Sequence, residues 1–172
     1  MRVAVAALLV AAAAGAQERV PEPLGLMVML KIVSYDTAFA SHGAGDFVVL
    51  LPYAPGDEAK AHELAAVGAG LEVKSIKERP LRFVVVPLTE LASKKGAAVL
   101  LHPGLSGAKA ALEKAKEEKL YVMSFDEALV KEGALLGVGL ANGKPQPLIN
   151  VAAMRAIGAD FGPVLRLART FQ

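Results

Sequence analysis

The chain has 172 residues, of which 54% are hydrophobic and 21% charged, and this length suits a single domain with a sizeable core. Its 19 basic and 17 acidic residues nearly balance, so the composition gives no indication of binding to nucleic acid or to an acidic membrane. Cysteine is absent, so the core must hold the fold without disulfides.

The first sixteen residues have the order of a secretory signal peptide. Arg2 precedes an apolar run over residues 3–14, and Ala14, Gly15 and Ala16 precede the polar Gln17. The run is too short to span a bilayer, which needs about 20 apolar residues. We predict cleavage after Ala16 and release of residues 17–172 into the periplasm as one domain. The alternative is an alanine-rich first helix of the fold.

Residues 24–35 predict a helix that is apolar on nearly every side. Positions 26, 29, 30 and 33 form one apolar face, positions 24, 27, 28 and 35 form the adjoining face, and Lys31 is the only charge. Such a helix packs into the core over most of its surface. The remaining surface is open to a partner or to a second copy of the chain.

Apolar runs stopped by proline predict the central strands. Residues 46–53, 82–87 and 97–103 end at or beside Pro52, Pro87 and Pro103, as expected of parallel strands buried on both faces. Their shared design predicts that the three strands end at one edge of the sheet. Further strands are predicted at residues 71–76, 120–124, 134–141 and 146–149, and helices at residues 57–67, 90–95 and 106–118.

The alternation of strands and helices predicts the fold class. It indicates an α/β domain with a mostly parallel sheet and helices on both faces. Asn142 and Gly143 are a hairpin signal, so the last two strands should form an antiparallel hairpin at one edge.

Polar residues follow several of these strands, where an open parallel sheet binds small ligands. The candidate ligand-binding residues are Tyr53, Asp57, His102, Ser106 and Ser124. Helices predicted to begin at Asp57, Ser106 and Asp126 would point amides toward an anion. The same three residues are also ordinary N-caps, which satisfy those amides themselves. The rim is therefore either a ligand crevice or a set of capped helix ends.

Catalytic patterns in the chain are incomplete. Ser106 lies in a relaxed nucleophile elbow, but His42, His62 and His102 all precede it, whereas a hydrolase of that type has its histidine after the serine. Ser106 and Lys109 match a transpeptidase pattern without its two partner motifs. The isolated histidines lack metal-ligand spacing. We predict no catalytic residue, no metal and no cofactor.

The most specific pattern lies in residues 143–168. Asn150 follows the apolar pair Leu148 and Ile149, where a strand ends and a helix needs a cap. Gly158 should close that helix in the left-handed conformation, and Phe161 precedes a second predicted helix. The buried side of that second helix would be Val164, Leu165, Leu167 and Ala168.

This block resembles the closing signature of the YfiR-like family of small periplasmic regulatory domains. That signature has an apolar strand, an Ile-Asn pair, an Ala-Ala helix, a Gly, a Phe and a Leu-rich end. Residues 24–35 lie where the family has its first helix. The resemblance implies a Rossmann-like three-layer domain without catalytic activity. Known members restrain an inner-membrane diguanylate cyclase by binding its periplasmic portion, which affects cyclic-di-GMP and biofilm formation.

The resemblance has departures and a competitor. The best-known members carry cysteine pairs that this chain lacks, so redox-linked behaviour is not expected, and Gly162 stands where the family often has Ser. The expected partner is an inner-membrane signalling protein, a diguanylate cyclase or a sensor kinase, with a homodimer as a further option and no nucleic acid. The competing hypothesis is a periplasmic solute-binding module that feeds a transporter or sensor kinase through the rim.

Export is the first testable expectation. The order of residues 1–17 predicts that protein recovered from a periplasmic extract begins at Gln17. Intact mass spectrometry of that extract measures the start directly. A full-length product confined to the cytoplasm would contradict the assignment.

Overall fold

One sheet of eight strands runs through the described part of the chain. The computed structural model describes residues 19–172, so the predicted signal peptide and its cleavage site lie outside the described residues. The strands are β1 (Phe47–Tyr53), β2 (Ser75–Ile76), β3 (Arg79–Pro87), β4 (Ala98–Leu101), β5 (Tyr121–Ser124), β6 (Leu136–Ala141), β7 (Lys144–Asn150) and β8 (Arg169–Phe171). Their order across the sheet is β2-β3-β1-β4-β5-β6-β7-β8.

The central strands β3, β1, β4, β5 and β6 are parallel, and β7 runs antiparallel to β6. The strands that were predicted to share an exit edge, β1, β3 and β4, therefore do so. Asn142 and Gly143 have φ of +52° and +72° and form the predicted hairpin turn. The hairpin does not close the sheet, because β8 adds beyond β7 in parallel.

Helices cover both faces of the sheet. They are α1 (Glu22–Ser34), α2 (Glu58–Gly70), α3 (Ala108–Glu117), α4 (Glu127–Glu132) and α5 (Val151–Ile157). One core lies between the sheet and α1, α2 and α5, and the other lies between the sheet and α3 and α4. In β1 the side chains of Val49 and Leu51 enter the first core, and that of Leu50 enters the second. This is the predicted three-layer α/β arrangement.

The strand predicted at residues 82–87 differs from the expectation of burial on both faces. It begins earlier, at Arg79, and most of β3 is half-buried or exposed. The reason is its position, because its outer neighbour β2 is a strand of only two residues. The strand predicted at residues 71–76 is reduced to this short β2. The helix predicted at residues 90–95 is a 3-10 turn, Leu88–Ser93.

The second C-terminal helix was predicted wrongly. Residues Gly162–Arg166 form one 3-10 turn, Leu167 is 75% exposed, and the chain then enters β8. Gly162 has φ of +49°, outside the right-handed helical region, and Pro163 disfavours the helical conformation in the residue before it, so no helix extends back from this turn. Instead, the last residues form backbone hydrogen bonds with the open edge of β7, as the strand β8. Phe161, just before the turn, is completely buried.

Asn150 joins two parts of the fold. Its Oδ1 accepts a hydrogen bond from the Ala153 amide at 2.8 Å, which caps α5. Its Nδ2 donates to the Val130 carbonyl at the end of α4, also at 2.8 Å, and the residue is 3% exposed. Gly158, with φ of +77°, closes α5 at its other end.

Replacing Asn150 by alanine should therefore cost more than an ordinary cap. The lost cap contributes about 1 kcal/mol, and the lost bond to Val130 adds about 1 kcal/mol, because the Val130 carbonyl keeps the Gly133 amide as a donor at 3.2 Å. Urea unfolding measures the difference. The control is Asp126→Ala, which removes a single exposed cap, the bond from the Ala128 amide to Asp126 Oδ1 at 2.8 Å. Equal losses in the two variants would show that the bond to Val130 contributes little.

Candidate functional site

The predicted ligand-binding residues lie together at the carboxyl edge of the parallel strands. Tyr53 ends β1, His102 follows β4 and Ser124 ends β5. Asp57 and Ser106 lie in the loops after β1 and β4. Because β1, β4 and β5 are adjacent and parallel, these loops meet at one rim of the sheet.

The polar atoms of this rim are largely bonded within the protein. Asp57 Oδ2 accepts the Ser106 amide at 2.9 Å, which ties the loop after β1 to the loop after β4. Ser124 Oγ accepts the Asp126 amide at 3.0 Å, and Asp126 caps α4 as predicted. The caps predicted at Asp57 and Ser106 are corrected. Asp57 makes no side-chain cap bond to α2, and α3 begins at Ala108, behind a left-handed Gly107.

His102 and Tyr53, both at the rim, differ in how far they are exposed. His102 is 2% exposed, and its Nδ1 lies 3.1 Å from the Pro103 carbonyl. Since a carbonyl only accepts, this contact places the proton on Nδ1. His102 Nε2 is then a buried acceptor without a hydrogen-bond partner among residues 19–172. Tyr53 is half-buried and packs against the core under α1 and α2.

A cavity of about 810 Å³ lies beside the rim. None of the five predicted ligand-binding residues lines it; its walls come from residues 19–22, 103–104, 125–127 and 138–140. The volume is in the range of small-molecule sites. Sequence reasoning placed the loops after β4 and β5 at this rim, and residues 103–104 and 125–126 of the wall come from them. It missed residues 19–22 and 138–140, because the segment before α1 and strand β6 reach the cavity only through packing.

Close packing of α1 shapes this cavity. A Cβ atom on Gly25 would lie 2.8 Å from the ring of Phe125 and 2.8 Å from a methyl group of Val138. Only glycine lets the first turns of α1 approach β6 so closely. The segment that precedes α1 is thereby held against the carboxyl edge of the sheet.

Ion pairs already engage two of the acidic groups in the cavity wall. Glu22 Oε1 lies 3.2 Å from Lys60 Nζ. Glu127 accepts from Lys131 at 2.8 Å and from Arg169 at 3.1 Å. The hydrogen bond from Lys131, with the nearby charge of Arg169, holds the pKa of Glu127 below its usual value. The charges of Glu22 and Glu127 are therefore already balanced by these cations, and Arg19 adds a further positive charge to the cavity wall.

A second polar cluster lies at the opposite, amino-terminal edge of the sheet, and sequence reasoning missed it. Asp36, just after α1, is 0% exposed. Its Oδ2 accepts the Tyr121 hydroxyl at 2.5 Å, and its Oδ1 accepts the amides of Ala38 at 2.9 Å and Asp160 at 2.8 Å. Lys77 Nζ donates to the Asp36 carbonyl at 2.6 Å. The sequence offered no local signal, because these partners come from distant segments.

Aromatic rings, His42 and Arg79 close this cluster. His42 Nε2 lies 3.4 Å from Asp36 Oδ2, and the His42 ring meets the edge of Tyr121 at 5.0 Å. The Arg79 guanidinium lies 5.3 Å from the ring of Phe39 and 5.4 Å from that of Phe47. With Asp36 and Tyr121 buried, the cluster acts as an internal clamp and not as an open site.

Within residues 19–172, no three His, Asp or Glu side chains are grouped in a way that could hold a metal ion. No helix in the same range combines the length and apolar character needed to cross a membrane.

Tyr121→Phe tests the clamp. Burial, then the hydrogen bond to Asp36, raises the pKa of Tyr121 well above its ordinary value of about 10. The neutral phenol therefore stabilises the fold fully below about pH 10, and this contribution is lost as the pH rises above that value. At neutral pH the variant should lose about 1 to 3 kcal/mol of unfolding free energy, since Asp36 loses a donor.

Urea unfolding between pH 7 and pH 11 measures both effects. The wild type should lose more stability above pH 10 than the Tyr121→Phe variant does. Tyr35→Phe is the control, because Tyr35 is 50% exposed. Parallel pH curves for the wild type and Tyr121→Phe would contradict the buried phenol–carboxylate interaction.

Comparisons with known proteins support the fold and match the chain to no family. No family model and no curated protein matches this chain. A solved conserved domain protein from Vibrio cholerae O1 biovar El Tor matches with a TM-score of 0.59 and 15% identity, over 88% of this chain and 60% of that chain. An ABC domain from Streptococcus pneumoniae, solved in complex with L-Trp, matches with a TM-score of 0.56 and 15% identity, over the same shares.

This chain thus spans about 60% of the length of these two neighbours. At 15% identity the likeness concerns the fold and not the ligand. With the sheet order and the helices on both faces, it shows that the chain has a Rossmann-like three-layer α/β fold.

Proposed function

We propose that the protein is a non-catalytic periplasmic regulator, similar in role to YfiR-like proteins. It would bind the periplasmic portion of an inner-membrane signalling protein, a diguanylate cyclase or a sensor kinase, and restrain its output. The support comes from the C-terminal block that resembles the family and from one surface of α1.

The exposed face of α1 is the observation that carries the proposal. Leu24 is 36% exposed, Met27 41% and Tyr35, just past the helix end, 50%, and all three lie near Lys31 on the outer side. We call Leu24, Met27, Lys31 and Tyr35 the α1 stripe. The inner side of the helix, with Leu26 and Met29, is fully buried. An exposed apolar surface of this kind typically contacts another protein.

The chemistry of the α1 stripe indicates what would cover it. Lys31 Nζ lies 5.3 Å from the Tyr35 ring, so the only charge of the stripe stands over an aromatic face. A partner helix with apolar side chains and one acidic side chain would bury Met27 and pair with Lys31.

The carboxyl rim offers less to a polar ligand. Asp57, Ser124 and Asp126 already accept backbone amides. A solute site needs a few polar groups directed at the ligand, and these three are engaged in holding loops. Ser106 is exposed, whereas His102, the histidine of the same loop, is buried. This arrangement supports a binding role over a catalytic one.

Affinity capture from detergent-solubilised membranes tests the proposal. The tagged wild type should retain an inner-membrane signalling protein, and Met27→Asp should lose at least about tenfold of it, because a charge replaces an apolar contact at the centre of the surface. The matched control is Ala110→Asp, an exposed alanine on α3 in the opposite layer. Leu30 is unsuitable as a probe, because it is 1% exposed and a charge there would disturb the core.

A solute-binding role is the second candidate. It is supported by the cavity of about 810 Å³ beside Phe125 and by a structural neighbour solved in complex with L-Trp. If neither the wild type nor Ala110→Asp captures a membrane protein in the same experiment, the result contradicts the regulatory proposal. Calorimetric titration with L-tryptophan and other amino acids would then show whether the domain takes a small ligand instead.

A further inference from the structure

The outer edge of β3 is unpaired over most of its length. The short β2 pairs only with Arg79 and Pro80, and one further bond joins the Leu81 amide to the Lys74 carbonyl at 2.9 Å. In the part of the chain that the structure describes, no strand pairs with this edge over residues 82–87. We call residues 82–86 the free edge.

The backbone of the free edge presents hydrogen-bonding groups outward. The Leu81 amide points away from β1, since it bonds to Lys74. Backbone groups alternate in direction along a strand, so the N–H and C=O groups of Phe83 and Val85 also point outward, and those of Val84 face β1. An edge with outward donors and acceptors is a template for another strand.

The side chains of the free edge are apolar and partly open. Val84 is 39% exposed. Phe83 lies flat against α2, where a Cβ atom on Gly68 would come within 2.6 Å of its ring. An added strand would therefore gain cross-strand contacts with valine and phenylalanine side chains.

A groove runs along the free edge and carries positive charge. It has a volume of about 610 Å³ and lies between β3 and the small side chains of Ala65, Ala66 and Ala69 on α2. The charged or titratable residues in its lining are Lys74, Arg82 and His62, with no acidic residue among them. Arg82 pairs with Asp46 outside the groove, so its charge is already balanced. Lys74 Nζ donates to the Ala69 carbonyl at 2.8 Å, and no acidic side chain among residues 19–172 forms an ion pair with it.

We propose that the free edge binds an extended, acidic peptide segment of a partner protein, which adds a strand to the sheet. Its backbone would bond to Phe83 and Val85, and its acidic side chains would face Lys74 on the α2 side of the edge. Pro80 and Pro87 bracket the edge and limit the added strand to about five or six residues. A second copy of this chain fits less well, because it would bring the same cations together.

This inference goes beyond the proposed function. The free edge and the α1 stripe share no residue, and strand addition differs from helix docking. The edge would bind its peptide whether or not the partner of the α1 stripe is a signalling protein. Failure of one proposal is therefore distinguishable from failure of the other.

Amide hydrogen exchange of the full chain, followed by NMR, is the first experiment. In the free protein the outward amides of Phe83 and Val85 should exchange at least about tenfold faster than that of Val84, which faces β1. A nine-residue acetylated peptide of alternating valine and glutamate should then slow exchange at Phe83 and Val85. Equal protection of the three amides in a monomeric free protein would overturn the proposal.

Fluorescence anisotropy with the same labelled peptide measures the charge preference. The wild type should bind it about tenfold more tightly than the peptide in which lysine replaces glutamate, and Lys74→Glu should weaken binding about fivefold. Lys114→Glu is the matched control, because it makes the same charge change on an exposed site of α3. It should bind the glutamate peptide as the wild type does.

Two results would contradict the acidic peptide. Equal binding of the glutamate and lysine peptides, or no binding of either, would remove the charge argument. Light scattering that shows a dimer with protected Phe83 and Val85 amides would replace the peptide by a second copy of the chain.

Discussion

The buried carboxylate of Asp36 is the constraint on which the arrangement of the domain depends. A charge without solvent is costly unless its oxygens are saturated with donors. Here the donors are the Tyr121 hydroxyl and the amides of Ala38 and Asp160, and the Asp36 carbonyl takes Lys77. The end of α1, the start of β5, the turn after α5 and the hairpin before β3 are therefore held at one point. Movement of β5 or of the turn after α5 would leave the carboxylate short of a donor, and movement of the hairpin would remove Lys77 from the Asp36 carbonyl.

The amino-terminal and carboxyl ends of the parallel strands consequently serve different purposes. The amino-terminal edge is closed around Asp36, with Phe39 and Phe47 as its cover. The carboxyl edge, where an open α/β sheet binds ligands, uses Asp57 and Ser124 to hold its own loops. What remains available to other molecules is the α1 stripe, the cavity beside Phe125 and the free edge. Of these, the α1 stripe is the surface on which the proposed regulatory role rests.

Local patterns were reliable where one segment decides its own conformation. Apolar runs indicated the central strands, and the Asn142-Gly143 pair indicated the hairpin turn that the structure contains. They failed where a neighbour decides. The run over residues 82–87 looks like a buried strand, yet β3 is largely exposed because its neighbour β2 is short. Residues 163–168 looked helical, yet the structure has only a 3-10 turn at Gly162–Arg166, and the chain then pairs with the open edge of β7 as β8.

The sequence by itself determined the α/β class, the parallel order of the core strands and the place of Asn150 between a strand and a helix, because periodicity and capping act within a few residues. Only the tertiary structure decided the bond between Tyr121 and Asp36, which are 85 positions apart, and the bond between Asp57 and the Ser106 amide, 49 positions apart. It also decided which side of α1 and which edge of β3 stay open. Such contacts depend on how distant segments pack, and no spacing within one segment records that packing.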